Sequence, residues 1–270
     1  GITTRVLIDE GLSAVGLCEL PEVTVQRLIG RLERPDPWPL QVGGLNHISW
    51  CWTELGADDR ALRDAAVAAG LVHEDDWERY GAVPLPYHYR VLRPALGDEL
   101  GIAQPAGRAQ QLVDWSGRVL ASMDEHPGED VEALTARPTP WWDRAVVPAL
   151  AATTGGQPHE GWCNVVNHGL LPGLPADVVV EVPAVFDEQG VRPRALSDPP
   201  TAALDLLRHW AELDRRTLLA ARDGDVPALR AALEALPPEI ALSGPVEIDR
   251  AVAEICADPA SSLHGREVRT

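Results

Sequence analysis

Two short stretches constrain this chain more than any others: Gly16-Leu17-Cys18-Glu19-Leu20-Pro21 and Gly44-Leu45-Asn46-His47-Ile48-Ser49-Trp50. In the first, residues 14–18 have strand character, and Pro21 sits where a helix begins at no cost in hydrogen bonds. Val25, Leu28, Ile29 and Leu32 then recur at helical spacing. The unit reads as strand, turn and helix, with Cys18 at the carboxyl end of the strand. That end is where open α/β sheets hold ligands, and a helix N-terminus beside it favours a thiolate. In the second stretch Gly43-Gly44 reads as a turn into a strand from Leu45 to Thr53, with His47 held at the edge of a core by apolar neighbours. A cysteine and a histidine so placed suggest a metal site, although on spacing alone such a pair is more often two buried core residues than two ligands.

The remaining elements mix α and β. The chain opens inside an element at Ile2 to Ile8. A helix is expected from Asp58, a good N-cap, to about Ala69. All three tyrosines, Tyr80, Tyr87 and Tyr89, fall between residues 80 and 93 among Pro84, Pro86 and Pro94, which reads as an ordered loop. Helices are expected over 107–125 and 141–152. Strands are expected over 162–166 and 178–182, the second β-branched, buried and ended by Pro183. Asn167-His168-Gly169 reads as a loop. Three further helices carry Leu207, Trp210 and Leu213, then Leu229, Leu233 and Leu236, then residues 246–256.

With 270 residues, 45% of them hydrophobic, the chain is long enough for a real core. A net charge of -18 argues against a nucleic-acid partner, since that affinity comes from clustered cations. No apolar run approaches the roughly 18 residues of a membrane span, and the start lacks the features of a signal peptide, so no membrane partner and a cytoplasmic setting are expected. Cys18, Cys51, Cys163 and Cys256 form no close-spaced pair and read as reduced thiols, the last three as small buried hydrophobes.

Taken in order, the two opening stretches, Pro84-Leu85-Pro86-Tyr87, the segment from Asn164 to Pro175 and Val180-Glu181-Val182-Pro183 make the chain resemble glycoside hydrolase family 4. These NAD- and metal-dependent glycosidases include 6-phospho-β-glucosidases, 6-phospho-α-glucosidases and α-galacturonidases. The resemblance covers about 1–237, leaves 238–270 as a helical tail, and implies that 1–270 is one catalytic, metal-binding domain. It implies a mixed α/β (α+β) fold, the carboxyl-terminal domain of glycosidases that resemble lactate dehydrogenase. The chemistry it implies is not that of the usual pair of carboxylates. NAD oxidises the sugar at carbon 3 and a divalent metal, usually manganese, polarises the ketone. A tyrosine then takes the proton at carbon 2, the leaving group departs, water adds, and the ketone is reduced again.

Carried over residue by residue, the metal ligands fall on Cys18 and His47, and the base falls on Tyr87 with Tyr89 as the alternate. Substrate contacts fall on Asn46, on Glu19 as the position after the cysteine, and on Arg137. A phenol with an ordinary pKa of about 10 acts as a base only beside a cation, which the metal supplies. The sequence departs from the family in three places. No Gly-x-Gly-x-x-Gly follows a strand, so NAD is expected to be bound mainly by a Rossmann domain outside this chain. Glu19 stands where Asn or Asp is expected. At Arg137-Pro-Thr-Pro-Trp141-Trp142-Asp143 the family's phospho-glycosidases have Arg-Gly-Gly-Ala and then Tyr-Ser, and a carboxylate there repels a phosphate. The reading is a 6-phospho-β-glucosidase acting on a small, possibly phosphorylated sugar as a homodimer or homotetramer. Alternatives are an α-galacturonidase or other unphosphorylated specificity, a non-catalytic remnant, or a sugar dehydrogenase.

Overall fold

The computed structural model describes residues 2–31, 40–54, 59–102, 108–125 and 141–264, except 239, 241, 243, 260 and 262. Seven strands among the described residues form one sheet: β1 (Gly16–Cys18), β2 (Leu40–Leu45), β3 (Ile48–Thr53), β4 (Val83–Pro84), β5 (His159–Val166), β6 (Val179–Asp187) and β7 (Gly190–Pro193). Their order is β1-β5-β6-β2-β3-β4, with β7 added to β6, and every pairing is antiparallel. The fold is mixed α and β, but the carboxyl-end rule for parallel sheets does not place the ligand here. Cys18 takes its place from the register of β1 on β5.

Helices cover both faces of the sheet. They are α1 (Ile2–Asp9), α2 (Leu20–Ile29), α3 (Asp59–Ala68), α4 (Glu74–Tyr80), α5 (Pro94–Glu99), α6 (Arg108–Glu125), α7 (Val147–Thr153), α8 (Thr201–Asp223), α9 (Val226–Glu234) and α10 (Pro245–Ala257). On one face, Val42, Cys51 and Val83 pack against Leu28 of α2 and Leu62 and Ala66 of α3. On the other, Trp50, Cys163, Val180 and Val182 pack against Ala149 and Ala152 of α7 and Ala203, Leu204 and Leu207 of α8. Each fully buried Leu or Val contributes about 1.5–3 kcal/mol. A third cluster joins Ala220 and Leu229 to Ile248, Val252 and Cys256 of α10.

The expected strand from Leu45 to Thr53 is two strands. The chain turns at Asn46-His47, not at Gly43-Gly44, and Leu45 opposes Ile48. Asn46 accepts the left-handed backbone this needs, at φ 52°. The glycines serve close approach instead: a Cβ on Gly43 would lie 2.8 Å from the Glu181 carbonyl oxygen, and one on Gly44 would run into the backbone of Ile48 and Ser49.

The expected loop over 80–93 is also structured. It holds the end of α4, the edge strand β4 and a π-helical turn from His88 to Leu92, followed by α5. Its prolines sit where no N–H is required, Pro84 on the edge strand and Pro94 in the first turn of α5. Strand β6 likewise runs through Pro183 to Asp187. The Pro183 carbonyl accepts the Arg194 N–H, on the side where the missing donor of proline falls between β2 and β7. The expected cap Asp58 lies outside the described residues.

Candidate metal and active site

Opposed residues of an antiparallel ladder share a face, and here the registers align Gly16, Asn164, Glu181, Gly44 and Ser49 across β1, β5, β6, β2 and β3. The two glycines keep this row low. A Cβ on Gly16 would lie 3.0 Å from that of Asn164. Beside the row stand Cys18, two residues on from Gly16, and His47 in the β2–β3 turn. Cys18 Sγ lies 3.3 Å from His47 Nδ1. Ligand atoms of Cys18, His47 and Glu181 all lie within 4.8 Å of one another.

Glu181 is 0% exposed. Ser49 Oγ stands 2.8 Å from both Glu181 Oε1 and the Asn46 carbonyl oxygen. One hydroxyl has one proton, so an ionised Glu181 competes with Asn46 for it, whereas a protonated Glu181 donates to Ser49 and frees the Ser49 proton for Asn46. Burial pushes Glu181 up to about 7, against the opposing pull of the neighbouring Cys18 thiol and of the Ser49 hydroxyl that bonds Oε1. Burial, then the Glu181 carboxylate, push the Cys18 thiol far above its ordinary range, although the Leu20 N–H at the start of α2 works the other way. Burial lowers His47 and keeps its imidazole neutral. Left to itself the cluster holds a protonated thiol, a neutral imidazole and a carboxyl group close to half-ionised at neutral pH. A divalent cation supplies the charge that releases those protons, so the donor set of S, N and O fits a metal.

A cleft of about 480 Å³, within the size range of small-ligand sites, opens over the cluster. Asn46, His47, Tyr87, Asn164, Trp210 and Asp214 line it. The Tyr87 ring stacks on His47, with centroids 4.6 Å apart and planes 28° from parallel. The Arg90 guanidinium lies 5.2 Å from the Tyr87 ring centre. Tyr89 is 0% exposed, and its hydroxyl accepts the His73 N–H at 2.9 Å. It sits in the core and not in the cleft, because residues two apart on a helical turn point to opposite sides. Glu19 follows Cys18 immediately, half-buried, with Oε2 lacking a hydrogen-bond partner among the described residues; burial raises its pKa. Arg137 lies outside the described residues.

The structure thus brings Cys18, His47, Asn46 and Tyr87 to one place and removes Tyr89 from it. It adds Glu181, Ser49, Asn164 and Asp214, to which sequence reasoning gave no site role. For Glu181 a signal was present, a lone acid in a β-branched run. Asp214, on α8, is raised by burial and has no hydrogen-bond or ion-pair partner among the described residues. Asn167 organises the neighbouring loop, its amide donating to the carbonyls of Leu171, Leu174 and Pro175.

A sequence profile described as "Family 4 glycosyl hydrolase C-terminal domain" matches residues 42–237. A protein of Bacillus subtilis (strain 168) described as "Probable 6-phospho-beta-glucosidase" is 22% identical over 231 residues, 78% of this chain and 52% of that protein. An "Alpha-galactosidase" of Rhizobium meliloti (strain 1021) is 30% identical over 114 residues, 42% of this chain and 23% of that one. The chain therefore spans about half the length of the first of these relatives. Among solved structures, the 6-phospho-beta glucosidase from Thermotoga maritima, solved with NAD and glucose-6-phosphate, is similar over 94% of this chain and 63% of that one, with a TM-score of 0.70 and 17% identity. The same enzyme has been solved with manganese as well. At that identity the likeness is one of fold.

Proposed function

The chain belongs to the family 4 glycosyl hydrolases, and from that premise we propose that it is the metal-bearing half of a glycosidase that cleaves by oxidation and elimination. The observation that carries this reading is that Cys18 lies 3.3 Å from His47, whose ring stacks on Tyr87 in the wall of the cleft. Cys18 and His47 would hold a divalent metal, manganese by family precedent, and NAD would be held mainly by residues outside this chain. Together these groups supply a hydride acceptor for carbon 3 and a Lewis acid for the ketone formed there.

The chain's own residues do the rest. Tyr87 takes the proton from carbon 2, next to the ketone, where acidity has risen. Asn46 and Glu19 hold sugar hydroxyls. The Trp210 face bounds the cleft against water. We assign residues 1–270 to one catalytic domain with a helical tail from 238, and expect assembly as a homodimer or homotetramer. Four reduced thiols and the absence, among the described residues, of a helix able to cross a membrane suit a cytoplasmic enzyme with a small sugar as partner.

The substrate we favour is a 6-phospho-β-glucoside, on the strength of the Bacillus relative. An unphosphorylated glycoside is the second reading, favoured by the Asp214 carboxylate in the cleft wall, which repels a phosphate. The complete enzyme incubated with substrate in D₂O is expected to place deuterium at carbon 2 of the sugar, only when NAD and Mn²⁺ are both present. Hydrolysis without exchange would show ordinary glycosidase chemistry. A panel of phosphorylated, uronic and plain glycosides decides between the two substrates.

A further inference from the structure

We propose that Glu181 is a third protein ligand of the metal held by Cys18 and His47, a step that rests on the metal reading above. Bonds of about 2.3 Å to sulfur and about 2.1 Å to nitrogen put two atoms on one ion about 3.1 Å apart at right angles and about 3.6 Å apart at the tetrahedral angle. The observed 3.3 Å between Cys18 Sγ and His47 Nδ1 falls between these values. The Glu181 ligand atom completes a triangle no side of which exceeds 4.8 Å, and two atoms on opposite sides of one ion are about 4.4 Å apart. Small side-chain rotations close the remainder.

The carboxylate is also prepared for this role. Ser49 fixes Oε1, and Oε2 is fully buried with no hydrogen-bond partner among the described residues. A buried carboxylate oxygen left without a donor is costly unless a cation meets it. A thiolate and a carboxylate together cancel the charge of a divalent ion, so the occupied site is neutral inside a buried pocket. Adding a hard oxygen to the sulfur and nitrogen pair moves preference toward manganese or iron, and leaves positions on the cleft side for sugar hydroxyls. Ser49 is then a positioning residue that aims Glu181.

The test titrates Mn²⁺ into this chain, following the loss of the free-ion electron paramagnetic resonance signal, and records Co²⁺ absorption. Wild type is expected to bind one ion. Glu181→Gln, which keeps the shape and the Ser49 bond, is expected to weaken Mn²⁺ by ~100-fold or more and to change the cobalt d–d bands, while the sulfur-to-cobalt band from Cys18 persists. Glu181→Asp keeps the charge but withdraws it by one methylene, and should also weaken binding. Thermal melting of the metal-free variants checks that they are folded. If wild type does not bind, the metal reading itself fails. If wild type binds and both variants bind within threefold with an unchanged cobalt spectrum, Glu181 is not a ligand and the metal reading stands. Weakened binding with an unchanged spectrum likewise overturns the ligand role.

Discussion

Tyr87 and Tyr89 are two positions apart, yet one stacks on His47 in the cleft and the other is sealed in the core with its hydroxyl on the His73 N–H. Their phenylalanine variants should therefore separate cleanly. Tyr87→Phe is expected to leave stability within about 0.5 kcal/mol, as usual away from cores and networks, and to lower kcat of the complete enzyme by ~10²–10⁴-fold. Tyr89→Phe is expected to cost about 2–3 kcal/mol, by stranding the His73 donor and by removing the hydroxyl from the buried Asp76 carboxylate, and to leave kcat unchanged. Urea unfolding and steady-state kinetics on both variants check this, and a reversal of the two patterns would move the base to Tyr89. At this scale the sequence was readable where a side chain sits inside a motif. Cys18, His47 and Tyr87 stand out that way. Glu181 lies in the Val180-Glu181-Val182-Pro183 motif too but drew no site role there, because it meets Asn164 and Gly44 across strands, and register between distant strands is not written in local spacing.

The element that carries Tyr87 is braced from below. Asp76, the third residue of α4 and 0% exposed, is bonded by Arg93 at 2.8 Å, and His88 Nε2 lies 3.8 Å away. His88, the residue after Tyr87, is boxed by the rings of Trp50, Tyr80 and Tyr89. This network holds the π-helical turn on α4, and irregular turns of this kind recur at functional sites. Burial pushes Asp76 up, but His88, Arg93 and the Tyr89 hydroxyl outweigh it and hold the carboxyl below its ordinary value of 3.8. A depressed folded-state pKa gives stability that is present above the unfolded value and is lost as pH falls through the folded one. Acid unfolding should thus set in below about pH 4. Asp76→Asn should cost about 3 kcal/mol at pH 7, and its deficit should shrink steadily toward pH 2. Urea titrations at several pH values measure this, and a deficit independent of pH would show that Asp76 is not the titrating group. The density of proline here suggested a loop. Proline marks where the chain needs no N–H, and an edge strand and a helix start meet that condition as well as a loop does. The Gly43-Gly44 pair misled in a related way, since glycine serves close strand approach as readily as a turn.

Over the whole molecule, one antiparallel sheet separates two cores, and the Cys18–His47–Glu181 cluster lies at the edge of the core beneath α2 and α3, with the cleft open beside α1. The mixed class and most helices were legible from periodicity. The sheet order was not, because β1 reaches β5 across more than half the chain and no local pattern encodes that pairing. The same layout divides the reaction. On the proposed reading Cys18, His47 and Tyr87 belong to this chain, whereas no Gly-x-Gly-x-x-Gly occurs in its sequence. Binding should divide in the same way. The 270-residue chain is expected to take up Mn²⁺ at its Cys18–His47 site and to show no NAD⁺ binding up to millimolar concentration, by calorimetry and by saturation-transfer NMR of the nicotinamide protons. His47→Ala should abolish the first and leave the second as it was. The full-length enzyme should bind both, with NAD⁺ uptake unaffected by the His47 variant because the dinucleotide rests on other residues. Micromolar NAD⁺ binding by this chain alone would show that the sheet and its cleft carry a nucleotide site of their own, and would overturn the division of labour drawn here.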